Sequence, residues 1–188
     1  MNFSPFIVYR GGKKMRKKRK LIEGAKYHVT ARANRSEFIL NTPKNKELFL
    51  SIVKRAKKKY KFAITNFCIM GNHIHLMIQP LRTDSLSRIM QWILATFAIN
   101  YNKSFKLIGH VWYDRFHSNI MHNFMQYVRT FLYIGENPVK AKIVNCASQY
   151  KYGGIHNLQK GMYEILEPPE NALKILFPEI CLIKIPNN

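Results

Sequence analysis

Two histidines stand one residue apart inside the apolar run "CIMGNHIHLMIQP", residues 68–80. Side chains of a β-strand point alternately to its two faces, so His73 and His75 would share one face, opposite to Ile74 and Leu76. Two imidazoles at this spacing stand close enough to hold a single metal ion from one side. The alternative is a pair of ordinary polar residues on the open face of an antiparallel sheet, where such alternation is normal. Other groups must converge on the pair before it indicates chemistry.

A downstream segment, "FLYIGENPVKA", offers such groups. Tyr133 and Asn137 are four residues apart, so on a helix they lie on the same stripe. Asn137 can offer a neutral carbonyl oxygen to a cation. The alternative makes Tyr133 a core aromatic residue and Asn137 an ordinary residue before a proline. Phe131, Leu132 and Ile134 already supply the apolar side of this helix, which makes a buried role for Tyr133 less necessary.

The periodicities around these segments predict the elements that position them. In chain order they predict a strand at 25–33, a helix at 44–60, a strand at 61–69, a hairpin turn at Gly71-Asn72, a strand at 73–78, a helix at 84–102, a weaker strand at 115–121 and a helix at 122–137. Asp84 or Ser85 would cap the second helix, and Pro138 would end the third because it lacks a backbone N–H. The order β-α-β-β-α-β predicts an α+β fold of the ferredoxin-like type. That fold is an antiparallel sheet with two helices on one face, here followed by the tyrosine-bearing helix.

The composition points to a polyanionic partner. The chain of 188 residues has 31 Lys and Arg against 10 Asp and Glu, which gives a net charge of +21. Nucleic acid is favoured, because each phosphate that a basic side chain neutralises releases counterions. A membrane surface is the rival. However, the sequence has no basic amphipathic helix with a broad apolar face and no run long enough to span a bilayer.

The ends of the chain differ from its middle. Residues 13–20, "KKMRKKRK", are basic at seven of eight positions. We therefore expect residues 1–20 to form a flexible basic arm, either a solvated tail or a DNA-contacting segment. Residues 21–152 would form the main domain and residues 153–188 a C-terminal appendage. The opening segment does not have the pattern of a secretory signal, and the cysteines are odd in number and form no C-x-x-C pair, so a cytoplasmic protein is expected.

Three blocks of the sequence, taken together, resemble a known family. The block "NHIHLMI" is similar to the His-hydrophobe-His motif of the HUH endonucleases. The tyrosine four residues ahead of Asn-Pro-Val-Lys, with "VWYDRF" (111–116) upstream, resembles the REP-associated tyrosine transposases. These are single-tyrosine relatives of the small insertion-sequence transposases that work on single-stranded DNA. The resemblance runs from Lys26 to Tyr152, so residues 21–152 would be an HUH-type transposase catalytic domain.

The resemblance implies an activity and a site. It implies an enzyme that cleaves and rejoins single-stranded DNA near hairpins through a 5′-phosphotyrosine intermediate, with Tyr133 as the nucleophile. It also implies a divalent cation, Mg²⁺ or Mn²⁺, held by His73 and His75 with Asn137 as the third ligand. The partners would be single-stranded DNA hairpins of repetitive palindromic elements. The protein would act as a monomer or a homodimer.

Further residues are candidates for supporting roles. The phenol proton could pass to a metal-bound water, to His28 or to His117. Trp112 and Tyr113 could stack on unpaired bases, with core packing as the alternative for Trp112. The basic candidates for DNA contact are Arg16, Lys17, Lys18, Arg19, Arg32, Arg115 and Lys140.

Two residues depart from the family pattern. Gly71 stands where a proline is common before the histidine motif, a change that we expect to be harmless. Gly135 stands where relatives carry bulkier residues, and a glycine within a helix costs about 1 kcal/mol against alanine, so the helix would be mobile or would need DNA to settle.

Three other functions compete with this interpretation. The first competitor is a domesticated protein that binds hairpin DNA without cutting it. The second, an RNA-binding protein, is disfavoured because the expected exposed aromatic pattern is missing. A relaxase or replication initiator is disfavoured by the small size and the single candidate tyrosine.

Overall fold

The structure is a computed structural model that describes residues 22–82 and 84–168. The predicted basic arm at 1–20 and the last part of the predicted appendage lie outside the described residues. The main elements are, in chain order, β1 (Tyr27–Arg32), α1 (Pro43–Lys59), β2 (Phe62–Ile69), β3 (His73–Pro80), α2 (Leu86–Phe105), β4 (His117–Ile120), α3 (Phe124–Lys140) and α4 (Gly154–Gln159).

The four described strands form one sheet in the order β2-β3-β1-β4. Every neighbouring pair is antiparallel. The chain order β-α-β-β-α-β with this strand order is the ferredoxin-like arrangement, so the predicted fold class is confirmed. None of the helices in the described ranges combines the length and the hydropathy that a bilayer-spanning segment needs.

Helices α1 and α2 cover one face of the sheet. The helix α1 begins after Thr42, whose hydroxyl accepts a hydrogen bond from the Asn45 amide at 3.3 Å, and Pro43 takes the first helical position. The helix α2 begins after Ser85, one of the two predicted caps. Apolar residues at helical spacing on both helices meet alternate strand residues in the main core, among them Phe49, Ile52, Ile89, Ile93, Phe97, Val29, Ile74, Leu76 and Ile78.

Helix α3 lies on the opposite face of the sheet and buries a second apolar cluster. Strand residues Cys68 and Met77 pack there against helix residues Tyr127, Phe131 and Ile134. The face that carries the two histidines is therefore covered by a helix beside them. Helix α3 covers only part of this face, so the surface around the histidines is neither fully buried nor a fully open sheet face.

The prediction that Pro138 ends the last helix is wrong. Helix α3 continues through this proline to Lys140. Proline removes one backbone donor, but Pro138 is in the last turn and its side chain is buried against the core. The carbonyls of Asn137 and Pro138 accept from the amides of Ala141 and Ile143 at 3.0 Å and 2.9 Å, which closes the helix end.

Gly135 has a packing role within α3. It is buried, and a Cβ atom placed on it would lie 2.8 Å from Cγ1 of Ile155 in α4. Only a residue without a side chain lets the two helices approach this closely. The glycine at position 135 therefore occurs where α3 and α4 are in close contact.

The described part of the C-terminal segment packs against the outer edge of the sheet. Ile165 and Leu166 are buried in the main core. The amide of Glu167 donates to the carbonyl of Ile64 in β2 at 2.8 Å. These contacts cover part of the edge strand β2, whose backbone N–H and C=O groups would otherwise be unpaired on that side.

Candidate active site

Polar side chains of three neighbouring strands meet on the face that α3 partly covers. The register sets His75 of β3 opposite Thr30 of β1, and Thr30 opposite His117 of β4. One pair further along, His73 lies opposite Arg32. Side chains that are opposite each other on neighbouring strands lie side by side on the same face of the sheet. The polar residues of the three strands therefore form one continuous patch.

Helix α3 places Tyr133 over this patch. The Tyr133 ring centroid lies 5.6 Å from that of His75 and 5.9 Å from that of His28, with both contacts edge to face. The side chain is 45 % exposed, so its hydroxyl is not sealed in the interior. The structure therefore brings the predicted nucleophile to the predicted metal ligand His75.

A buried asparagine fixes the position of α3 on the sheet. Asn66 of β2 is fully buried and its amide nitrogen donates to the Phe131 carbonyl of α3 at 2.8 Å. Its Oδ1 accepts from the backbone amide of Phe67 at 2.8 Å. Because Phe131 is two residues before Tyr133, this contact ties the tyrosine-bearing turn to the strand beside β3.

The patch and the helix together enclose a cleft of about 510 Å³. A cleft of this size is large enough for part of a nucleotide chain. It is lined by His28, Thr30, Arg32, His73, His75, Tyr113, Asp114, Arg115, His117 and Tyr133.

Hydrogen bonds leave the Nε2 atoms of both predicted ligand histidines for a ligand in the cleft. His73 Nδ1 lies 2.7 Å from Oδ1 of Asn72. His75 Nδ1 lies 3.0 Å from Nε2 of His28 and 3.3 Å from the Thr30 hydroxyl. His75 Nε2 is buried and has no hydrogen-bond partner among the described residues. A buried polar atom without a partner is rare in native proteins and marks a place where a ligand would be accepted.

Burial favours the uncharged form of His28, His73 and His75, three of the histidines that line the cleft. Burial lowers the pKa of His75 to about 3, and the positive charge that His73, His28 and Arg32 can carry acts in the same direction. The pKa of His73 is lowered by burial and then by Arg32, and that of His28 by burial and then by His117. Neutral imidazole is the form that ligates a metal, so no proton has to be displaced at neutral pH.

The donor set fits a divalent cation of intermediate softness. Two neutral imidazoles suit Mn²⁺ better than Mg²⁺, which prefers oxygen ligands. Among the described residues no group of three His, Cys, Asp or Glu side chains converges on one point, so further ligands would have to come from other groups. The orphaned Nε2 of His75 is the observation that supports the fit.

Asn137 and Lys140 follow Tyr133 along the helix. The Asn137 amide nitrogen donates to the Tyr133 carbonyl at 2.7 Å, so a cation would take the other amide atom, Oδ1. Asn137 is not among the residues that line the cleft, and its role as third ligand stays a prediction. Lys140 Nζ lies 5.5 Å from the Tyr133 ring centroid and pairs with Glu136 at 2.8 Å. This places a cation beside the predicted nucleophile.

The other predicted DNA-contacting residues divide into three groups. Arg32 and Arg115 line the cleft, and Tyr113 beside them is 73 % exposed. Trp112 packs instead in the main core, where its indole N–H donates to the Leu94 carbonyl at 2.9 Å. The remaining four, Arg16, Lys17, Lys18 and Arg19, lie outside the described residues.

Sequence reasoning missed three residues of this region. Asn72 was read only as part of a hairpin turn, and Thr30 and Asp114 were assigned no role. The strand alternation already placed Thr30 on the polar side of β1 with His28. The missing information was the register that sets Thr30 opposite both His75 and His117, which no local pattern in the sequence provides.

Comparison with known proteins supports the assignment of family. Residues 22–137 match the model of the family described as "Transposase IS200 like". The match covers more than half of the chain and both the histidine pair and Tyr133. The chain belongs to the IS200-like transposase family.

Two solved structures match this chain, and one of them shows the same fold. A REP-associated tyrosine transposase bound to a REP hairpin matches with a TM-score of 0.65 and 22 % identity, over 82 % of this chain and 92 % of that chain. A transposase from Deinococcus radiodurans matches with a TM-score of 0.46 and 13 % identity, over 64 % of this chain and 95 % of that chain, which is too distant to carry an argument. A search among curated proteins gave no match.

Proposed function

We propose that the protein is a metal-dependent transposase and nickase that cleaves and rejoins single-stranded DNA near hairpins through Tyr133. The observation that carries the proposal is the contact of a half-exposed tyrosine with a buried histidine whose Nε2 has no partner among the described residues. Membership of the IS200-like transposase family supports the same class of reaction.

Tyr133 would act as the nucleophile. Its Oη attacks the scissile phosphorus, the bond from phosphorus to the 3′ oxygen breaks, and the DNA 5′ end remains attached as a phosphotyrosine. The phenol gives up its proton to a base in the cleft or to solvent, and the leaving 3′ oxygen takes up a proton to become a hydroxyl. The covalent bond stores the cut end, so that a 3′-hydroxyl can attack it later and rejoin the strand.

The anionic phosphate resists this attack, and the cleft supplies positive charge to offset the repulsion. A divalent cation held by His73 and His75, with Asn137 as the predicted third ligand, would polarise a non-bridging oxygen of the phosphate. Arg32 and Arg115 at the cleft wall add charge of fixed sign, since guanidinium groups stay protonated at any physiological pH.

Hairpin DNA is the substrate that best fits the chain. The net charge of +21 favours a polyanion. The structure with the same fold, the REP-associated tyrosine transposase, is bound to a REP hairpin. The exposed ring of Tyr113 at the cleft is suited to stacking on an unpaired base, which a duplex does not offer.

A covalent-adduct assay tests the proposal. Labelled single-stranded DNAs that contain imperfect hairpins with varied flanks are incubated with the protein and Mn²⁺ or Mg²⁺, then separated under denaturing conditions. We expect a protein–DNA adduct that depends on the cation and is lost in Tyr133→Phe, while hairpin binding by this variant is retained.

The matched control is Tyr163→Phe. Tyr163 is also about half exposed but does not line the cleft, so its variant should form the adduct normally. Binding of hairpins without any adduct in the unaltered protein would contradict the proposal and would favour a non-cleaving hairpin-binding protein.

A further inference from the structure

Each histidine of the pair makes a hydrogen bond through Nδ1 to a side chain outside the predicted ligand set. The partner of His73 is Asn72, at 2.7 Å, and the partner of His75 is His28, at 3.0 Å. We propose that Asn72 and His28 are positioning residues that hold His73 and His75 in the Nδ1–H tautomer, so that both Nε2 lone pairs are presented to one divalent cation. The inference rests on the proposed metal-dependent function and assigns the residues that prepare its ligands.

The orientation of the Asn72 amide decides the tautomer of His73. Asn72 Nδ2 donates to the Ser36 carbonyl at 3.3 Å, which turns Oδ1 towards the His73 ring. An amide oxygen can only accept a hydrogen bond, so His73 Nδ1 must carry the proton. The lone pair of His73 is then on Nε2.

For His75, the surroundings of Nε2 decide which tautomer is present. If His28 donated to His75 Nδ1, the His75 proton would be on Nε2, which is buried without a partner among the described residues. A buried N–H at this place would have no acceptor and could not bind a cation. A cation binds instead to a lone pair on Nε2. For Nε2 to carry the lone pair, the proton must be on His75 Nδ1, which then donates to His28 Nε2.

In this arrangement His28 uses its Nε2 atom for the hydrogen bond with His75. The Nε2 atom of His28 accepts the hydrogen bond from His75, so it is not free to take the proton of the Tyr133 phenol, although the two rings are in contact. His28 therefore acts through His75. Thr30, whose hydroxyl lies 3.3 Å from His75 Nδ1, is a second and longer acceptor.

The test compares His28→Leu with His28→Gln in the full chain. Glutamine offers an acceptor oxygen near the position of the imidazole Nε2, whereas leucine fills the space and accepts nothing. Mn²⁺ affinity is measured by electron paramagnetic resonance of the free ion. Loss of such a partner weakens metal binding by about 10–100-fold, so we expect at least a tenfold loss in His28→Leu and recovery of most of the affinity in His28→Gln.

A spectroscopic readout in the metal-free protein keeps the test independent of catalysis. Nitrogen-15 NMR of the imidazoles should show the Nδ1–H tautomer for His73 and His75 in the unaltered protein. His28→Leu should shift His75 towards the Nε2–H tautomer and leave His73 unchanged, and Asn72→Ala should do the reverse.

Two results would overturn the inference. One is an Nε2–H tautomer of His75 in the unaltered, metal-free protein. The other is equal Mn²⁺ affinity of the unaltered protein and a folded His28→Leu variant. In the second case, a loss of affinity in Thr30→Val would identify the threonine as the acceptor. Failure of the unaltered protein to bind Mn²⁺ at all is a different result, which contradicts the proposed metal use and leaves the tautomer measurement to decide the positioning.

Discussion

The Tyr133 ring of α3 meets the His75 ring of β3 edge to face, with centroids 5.6 Å apart and planes at 87°. The two residues are far apart in sequence. They meet because α3 packs on the face of the sheet that carries His75. One member of the pair is buried and uncharged, and the other is half exposed. In the proposed mechanism, this pairing would leave the Tyr133 hydroxyl accessible to DNA while the neutral His75 binds a cation.

Breaking the Asn66 contact should destabilise the protein and disturb the site together. Asn66→Ala removes the buried donor to the Phe131 carbonyl and the acceptor for the Phe67 amide. Each buried group left unsatisfied costs about 1–3 kcal/mol. We expect a loss of at least about 2 kcal/mol in the free energy of unfolding, measured by urea denaturation. Adduct formation in the variant should fall even under conditions where it is folded.

The control for this prediction is Asn100→Ala. Asn100 also donates its amide to a backbone carbonyl, that of Thr96, but it is only partly buried on α2. Its loss should change stability by much less and should leave the adduct yield intact. Equal effects of the two variants would contradict the anchoring role of Asn66.

The sequence predicted most of the elements of this fold but not how the site is arranged in space. Strand alternation and helical spacing gave the ferredoxin-like order, and the spacing of His73 to His75 gave the shared face. One local rule failed because tertiary contacts outweighed it: Pro138 did not end α3, since its side chain is buried in the last turn. Gly135 lies at a close helix contact that no propensity scale reveals, and the expected mobility of the helix stays a prediction. The proposed positioning role of Asn72 could not be predicted from sequence, because it depends on a hydrogen bond to the distant Ser36 carbonyl.

Acidification should destabilise the protein in the range set by His75. Its pKa is about 3 in the folded protein and near the ordinary value of 6.5 in the unfolded chain. The unfolded chain therefore binds more protons between these values, and stability that is complete above about pH 6.5 is lost as the pH falls towards 3. Urea denaturation at pH 7 and pH 5 should show this loss, with a smaller difference in His75→Gln.

Removal of a histidine elsewhere serves as the control for the pH experiment. His122 is exposed, and His122→Gln should leave the difference between the two pH values unchanged. A His75→Gln variant with the same pH dependence as the unaltered protein would show that His75 does not carry the effect.

Filling the space at Gly135 should destabilise α3 instead of strengthening it. Alanine gains about 1 kcal/mol of helix propensity, but its Cβ would press on Ile155 Cγ1 at 2.8 Å. Overpacking of a core typically costs about 1–3 kcal/mol, so the net change in Gly135→Ala should be a loss of about 1 kcal/mol in the free energy of unfolding. Thermal denaturation followed by circular dichroism measures it.

A double-mutant cycle identifies the contact. In an Ile155→Ala background the clash is absent, and Gly135→Ala should there become neutral or stabilising. If Gly135→Ala stabilises the otherwise unaltered protein, then the close contact between α3 and α4 is not present.

Arg115 should contribute to hairpin binding through charge. If Arg115 at the cleft wall contacts a phosphate, Arg115→Gln should lower hairpin affinity and reduce the slope of log K against log salt by about one. Fluorescence anisotropy over a salt series measures both. The control is Lys54→Gln on α1, which pairs with Glu164 on the opposite side of the sheet and should not alter the slope. An unchanged slope in Arg115→Gln would exclude it from phosphate contact.

The most direct measurement is to locate the covalent bond between protein and DNA. The adduct formed with a cleaved single-stranded hairpin is digested with trypsin and nuclease, and the modified peptide is sequenced by mass spectrometry. We predict a nucleotide attached through its 5′ phosphate to Tyr133, and no adduct when the divalent cation is chelated. Attachment to any other residue, or a cut strand with a free 5′ phosphate and no protein attached, would contradict the account.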